Sequence, residues 1–212
     1  MTEQLSLFNI ADAAKEAVAD RATRLAEVAA RARECARCRL RAGCRGVVFG
    51  EGNPEAKLMF VGEGPGRTED ELGRPFVGAA GQLLDRIIEA IGLKREQVYI
   101  GNVVKCRPPD NRLPLPDEAK ACLPWLEGQI AIIDPAIIVC LGALATQTLV
   151  SPEARITRWR GQWYERNGRL IMPTFHPAAL LRDPTKKRPV WEDMKLVRAK
   201  LWELESANKG GG

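Results

Sequence analysis

A run of four apolar residues, Leu58 to Val61, breaks abruptly into Gly62-Glu63-Gly64-Pro65-Gly66, and this junction constrains the fold of the chain more than any other feature. The run is long enough for a buried strand, and the segment behind it can only be a tight loop. Glycine at three of five positions lets backbone approach a ligand closely or take φ > 0, while Pro65 stiffens the turn. Glu63 is left at the strand's carboxyl end, which is where open α/β sheets bind their ligands. The loop is neither G-x-G-x-x-G opening a helix nor G-x-x-x-x-G-K-[ST], so neither nucleotide-binding fingerprint applies.

The remaining pattern extends this α/β reading. Residues 1–9 form a tail, after which an Ala-rich helix is predicted from Asn9, as N-cap, with Val18, Leu25, Val28 and Ala32 on one face, running into Cys35. Gln82 to Gly92 predicts an amphipathic helix burying Leu83, Leu84, Ile87, Ile88 and Ile91, with Gly92 ending it. QVYIGNVVKC predicts a strand in which Asn102 sits among apolar neighbours, an expensive place for an amide without partners. RPPDNRLPLPDE is broken by Pro108, Pro109, Pro114 and Pro116, and Asp117 is expected to cap a helix reaching about Ile133.

Beyond it, Pro135 to Leu141 predicts a buried strand and Gly142 to Val150 a short helix. GQWYERNGRLIMPTFHP predicts a hairpin turning at Asn167-Gly168, its second strand ending at His176. The last helix, about Pro189 to Glu205, packs Val190, Met194, Val197 and Leu201. Strands alternating with helices at this spacing predict a three-layer α/β/α sandwich with a mostly parallel central sheet. At 212 residues the chain supports one domain, 10–205, between tails 1–9 and 206–212, and a monomer is expected.

No apolar run approaches membrane-spanning length, and the N-terminus lacks the pattern of a signal peptide, so a reducing cytoplasm is expected, close to the nucleoid if DNA is the partner. Six cysteines then argue for metal or cluster ligation before disulfides. Cys35-Ala-Arg-Cys38 is a C-x-x-C, and the next candidate ligands are Cys106 and Cys122. Structural zinc sites usually add a second tight C-x-x-C or a histidine pair, whereas four dispersed thiolates suit a 4Fe-4S cluster. Cys44 competes for one position, and Cys140, inside AIIVCLGA, reads as a core thiol. Arg31, Arg33, Arg37, Arg39, Arg41 and Arg45 crowd this region with Glu34 opposing them, either to offset cluster charge or to meet phosphate. The net charge of +5 fits a phosphate-rich partner without requiring one.

GEGPG, GRPFVGAAGQLL, GNVVKCRPPDNR and the FHP of Phe175 to Pro177, in that order, closely resemble the signature blocks of the family 4, iron-sulfur, uracil-DNA glycosylases. The resemblance spans roughly Cys35 to Leu204. It implies a DNA-repair hydrolase that flips uracil out of single- or double-stranded DNA and cleaves its N-glycosidic bond, leaving an abasic site. It also implies a cluster held by Cys35, Cys38, Cys106 and Cys122. By the same resemblance His176, the only histidine, donates to uracil O2, Phe76 stacks on the ring, and Asn102 reads the N3 and O4 edge. Glu63 is expected either to orient or activate water or to hold the loop through backbone hydrogen bonds, while Gly64 stands where better-known uracil glycosylases carry aspartate. Glu69 or the 66–69 turn is the candidate for excluding thymine sterically at C5. Pro65 and Gly66 are expected against DNA, Leu180 as the wedge that fills the vacated stack, and Arg182 on phosphate. Ala178 departs from the family's usual serine, which removes one hydroxyl contact.

Other readings are a cluster-bearing DNA-binding or redox module without turnover, a covalently trapped glycosylase relative, and a glycosylase acting on a broader range of deaminated bases. Intact Glu63, Phe76, Asn102 and His176 oppose the first, and the absence of a second histidine after CRPPDNR opposes the second. Finally, Gln4-Leu5-Ser6-Leu7-Phe8 is similar to the bacterial sliding-clamp binding motif, with Gln4, Leu5, Leu7 and Phe8 as anchors on a tail able to reach the replication clamp.

Overall fold

A computed structural model describes residues 20–209 of the chain. The features expected at Gln4, Leu5, Leu7, Phe8, Asn9 and Val18 lie outside the described residues. Helix α1 is described over 20–33 and is followed by a short helix, α2, Leu40–Gly43. The alternating part then runs β1 (Glu51–Gly52), β2 (Leu58–Gly62), α3 (Arg67–Leu72), α4 (Ala79–Ala90), β3 (Tyr99–Asn102), α5 (Pro116–Ile133) and β4 (Ile137–Leu141). It closes with α6 (Ala143–Leu149), α7 (Ile156–Trp159), β5 (Tyr164–Arg166), β6 (Arg169–Thr174), α8 (Pro177–Arg182) and α9 (Lys187–Lys209).

The six strands lie in the order β1-β3-β2-β4-β6-β5. β3, β2, β4 and β6 are parallel, and the outer strands β1 and β5 are antiparallel. Every residue of β2, β3 and β4 is buried, as expected where helices cover both faces. The strand period of two sorts side chains between the layers. Met59, Val61, Ile138 and Cys140 pack towards Leu25, Ala29, Trp125, Leu126 and Leu149 of α1, α5 and α6. Leu58, Phe60, Ile137 and Val139 pack towards Leu84, Ile88, Val190, Met194 and Val197 of α4 and α9. The expected three-layer sandwich is the observed one, with Cys140 a core thiol.

Several local expectations are corrected. β3 ends at Asn102 rather than Cys106: Val103 and Val104 still donate to Gly62 and Glu63 carbonyls, but the chain then turns into the proline-rich loop. Asp117 does not cap α5. Pro116 occupies its first position, the Glu118 carboxylate accepts from Leu115 N–H at 2.8 Å, and Asp117 instead pairs with Arg39. β6 stops at Thr174, and His176 is the N-cap of α8. The arginines near Cys35 have more acidic partners than Glu34: Arg39 meets Asp117 and Glu118, and Arg45 meets Glu71, all from distant sequence. Because β2, β3, β4 and β6 are parallel, their carboxyl ends share one edge, and the loops after Gly62, Asn102, Leu141 and Thr174 converge there.

Candidate active site

That edge holds a cavity of about 600 Å³ lined by Glu63, Gly64, Pro65, Gly66, Glu69, Phe76, Asn102, His176, Ala178 and Arg182. Every residue expected to carry chemistry, from four separate segments, therefore faces one space, large enough to admit a nucleotide. Ala80, Pro108, Asn111, Arg112 and Leu113 also line it and were not anticipated. Apart from Ala80, in the first turn of α4, they belong to the RPPDNRL loop after the carboxyl end of β3, where the GNVVKCRPPDNR block marks the segment without showing that it folds over the cavity.

Phe76 is held in place from three directions. Its φ is +52°, a strained backbone for a bulky residue. Glu69 accepts from the N–H groups of Gly66 (3.1 Å), Val77 (2.9 Å) and Gly78 (2.8 Å), tying α3 to the loop that carries Phe76. From the far side Arg95 donates to the carbonyls of Phe76 (3.1 Å) and Pro75 (2.6 Å), itself anchored by Glu51 and Asp85. Gly62 and Gly81 leave the necessary room, since a Cβ at either would overlap Phe76. Glu69 thus spends its carboxylate on backbone while lining the cavity, and shapes the pocket wall by fixing the loop.

The ring of Phe76 lies 5.5 Å from that of His176, tilted by 31°. His176 Nδ1 accepts a hydrogen bond from Ala178 N–H at 3.1 Å, so in the neutral ring the proton resides on Nε2. Burial, helped by the Arg182 charge, pulls the His176 pKa down to about 4. The cavity is therefore offered a neutral N–H donor. Burial raises the Glu63 carboxyl above its ordinary range, and Arg182 partly offsets this. Asn102 is 1% exposed and its Oδ1 has no hydrogen-bond partner among the described residues. An orphaned buried acceptor costs about 1 to 3 kcal/mol, so it marks a place where a ligand N–H belongs. A Cβ at Gly64 would approach Val104 Cγ2 to 2.6 Å, which explains why no side chain stands there.

Leu180 is corrected outright. It is 2% exposed and packs in the layer with Phe76, Leu84 and Met172, because the first turn of α8 points it inward. The exposed apolar side chains nearby are Leu181 on the same helix and Leu113, 68% exposed, in the cavity lining.

Cys35, Cys38, Cys106 and Cys122 line a second, mostly apolar pocket with Leu40, Val47 and Trp125. Among the described residues no three His, Cys, Asp or Glu side chains converge on a position for a single metal ion. The four thiols nevertheless line one pocket. Two N–H groups serve them: Lys105 N–H meets Cys122 Sγ at 3.2 Å and Trp125 Nε1–H meets Cys35 Sγ at 3.3 Å. Such donors suit thiolates that ligate a cluster, so the residues present fit that group. Cys44 adjoins Cys106 without lining the pocket, its thiol donating to Arg41 O.

A family model described as the uracil DNA glycosylase superfamily matches residues 49–195. A type-4 uracil-DNA glycosylase of Sulfurisphaera tokodaii is 49% identical over 77% of this chain and 79% of its own length. Proteins of the same name from Thermotoga maritima and Saccharolobus solfataricus are 46% and 44% identical, covering 81% and 82% of this chain and 92% and 85% of their own.

Proposed function

Since the chain belongs to the uracil DNA glycosylase superfamily, and within it to the type-4 group, we propose that it excises uracil from DNA by hydrolysing the N-glycosidic bond and leaves an abasic site. The observation that carries this reading is the partnerless Asn102 Oδ1, buried beside Phe76 and His176 in a cavity roomy enough to admit a flipped-out nucleotide. Uracil N3–H supplies the missing donor, Phe76 supplies a π face, and His176 Nε2–H points its proton at O2. As the C1′–N1 bond breaks, its electron pair moves onto the base, and the neutral His176 donor stabilises the charge gathering at O2. Positive charge on the deoxyribose is met by the Glu63 carboxylate, which also orients the water. That water adds at C1′, and the proton it gives up passes by way of solvent to the departing uracil anion, leaving free uracil and an abasic site.

Duplex DNA hides its bases, so the nucleotide must be flipped out at a cost of a few kcal/mol. With Leu180 buried, Leu113 at the cavity mouth is the apolar side chain offered to the vacated stack, and Arg182 the cation offered to phosphate. Cys35, Cys38, Cys106 and Cys122 would hold a 4Fe-4S cluster whose contribution is structural, joining the end of α1 to the loop before α5. The tail at 4–8 is proposed to dock on a replication sliding clamp. A fluorescent peptide of residues 1–12 titrated with clamp should bind more tightly than one carrying Gln4→Ala, Leu7→Ala and Phe8→Ala, and equal binding ends that proposal.

The glycosylase reading is tested on oligonucleotides carrying one uracil. Alkali-revealed cleavage with cluster-replete protein is the expected result, and intact strands on both single-stranded and U:G substrates would overturn it. A panel carrying hypoxanthine and xanthine separates a uracil-specific enzyme from one of broader range.

A further inference from the structure

Lys105 is fully enclosed, 1% exposed; it does not line the active-site cavity, but it does line the pocket of the four thiols. Burying an ammonium group is costly unless every proton finds a partner. Its Nζ donates to the backbone carbonyl of Asn102 (2.8 Å) and to Gln129 Oε1 (2.5 Å), and lies 5.8 Å from the centre of the Phe49 ring. Gln129 is fixed in turn, its Nε2 donating to Phe49 O (2.8 Å) and to Tyr99 OH (2.9 Å). The main chain of the same lysine faces the other way, its N–H on Cys122 Sγ. Cys122 and Gln129 are seven residues apart on α5, hence on one helical face.

We propose that Lys105 is a positioning residue for base recognition: it clamps the Asn102 backbone to α5, so that the Asn102 amide presents its edge to uracil, and it links that edge to the thiol pocket. This rests on the reading of Asn102 as the residue that meets uracil. The physical case is one of chain geometry. Asn102 is the last residue of β3: towards β2 the hydrogen bonds continue through Val103 and Val104, but the ladder to β1 reaches only Ile100, so on that side its backbone has lost the restraint of a neighbouring strand. The Lys105 ammonium takes over that restraint through the Asn102 carbonyl. A side-chain amide read from a buried position has little slack, because a shift of its Cα moves donor and acceptor together. Thiol-pocket integrity is thereby transmitted to the base-reading atom through a single residue.

A double-mutant cycle tests this, with Lys105→Met and Asn102→Ala alone and together, measured at equal iron content on single-stranded uracil DNA, alongside the inhibition constant for free uracil. Lys105→Met alone should lower kcat/KM about ten- to hundredfold and weaken free uracil binding, yet change neither further in the Asn102→Ala background. Equal losses in both backgrounds would mean that Lys105 acts through general stability, and a wild-type rate for Lys105→Met would likewise overturn the proposal. If Asn102→Ala alone keeps wild-type activity, it is the assignment of Asn102 that falls, and with it this inference. Should Lys105→Met not fold, Gln129→Leu removes the second anchor of the same ammonium and must show the same non-additivity with Asn102→Ala.

Discussion

The N–H of Ala178 donates to Nδ1 of His176 across 3.1 Å, from the first turn of the helix that His176 itself caps. One backbone bond thus decides which ring nitrogen carries the proton, and burial keeps the ring neutral by bringing its pKa to about 4. A histidine working as a neutral donor makes a different demand on pH from one working as an acid.

His176→Ala should lose about 2 to 4 kcal/mol of transition-state stabilisation, the scale for a donor aimed at developing charge. Between about pH 4 and 6.5 the unfolded chain binds this proton and the folded chain does not, so this group lowers stability as pH falls through that window. His176→Ala should flatten that part of the stability profile. The kcat profile should show no inflection near 6.5 from this residue, and finding one that His176→Ala abolishes would refute the neutral-donor role.

The proposed mechanism requires an ionised Glu63, and its pKa lies above the ordinary 4.5 because burial outweighs Arg182. The acid limb of kcat should therefore sit above that value and disappear in Glu63→Gln. Arg182→Gln removes a charge that favours the carboxylate, so the limb should move to higher pH. A downward move would mean that Glu63 does not set the limb.

Glu69→Ala strands three backbone N–H groups and releases the Phe76 loop. A loss of about 2 kcal/mol in unfolding free energy is expected, with KM rising more than kcat falls. Unchanged denaturant midpoints would show that the loop holds itself without the clamp.

Cys106→Ser should reduce bound iron and lower Tm together, while Cys44→Ser, adjoining the pocket but not lining it, should leave the iron content unchanged. Elemental analysis of anaerobically purified protein checks both. Zinc in place of iron would refute the cluster.

Leu113→Ala should lower activity on duplex uracil DNA about tenfold more than on single strands, because only the duplex needs its vacated stack filled. Equal effects on both substrates would leave Leu113 as pocket wall alone.

The order of layers, the parallel sheet and the location of the site at the carboxyl ends of the strands were legible in the chain. Buried runs such as Leu58 to Val61 and breaks such as GEGPG act through immediate neighbours, and burial of a strand on both faces leaves an unambiguous apolar pattern. Glu63, Phe76, Asn102 and His176 were singled out by the resemblance of their surrounding blocks to a known family, and the fold brings all four to one cavity.

What the sequence by itself could not determine is where a side chain goes once α8 is docked or the loop before α5 is folded back. Leu180 and Leu181 are adjacent and chemically identical, yet one is core and the other exposed, a difference set by the packing of α8 against the α4 side of the sheet. Leu113, Asn111 and Arg112 reach the cavity because their loop folds over it from β3, and Glu69 is committed to Val77 and Gly78 eight and nine residues away. Lys105 looked like one more basic residue, and only tertiary contact with Gln129, across 24 positions, reveals it as a buried link between Asn102 and Cys122. Hydrogen-bond partners depend on distances in space, which local composition does not encode, so the chain determined which groups were present and the fold alone decided which of them met.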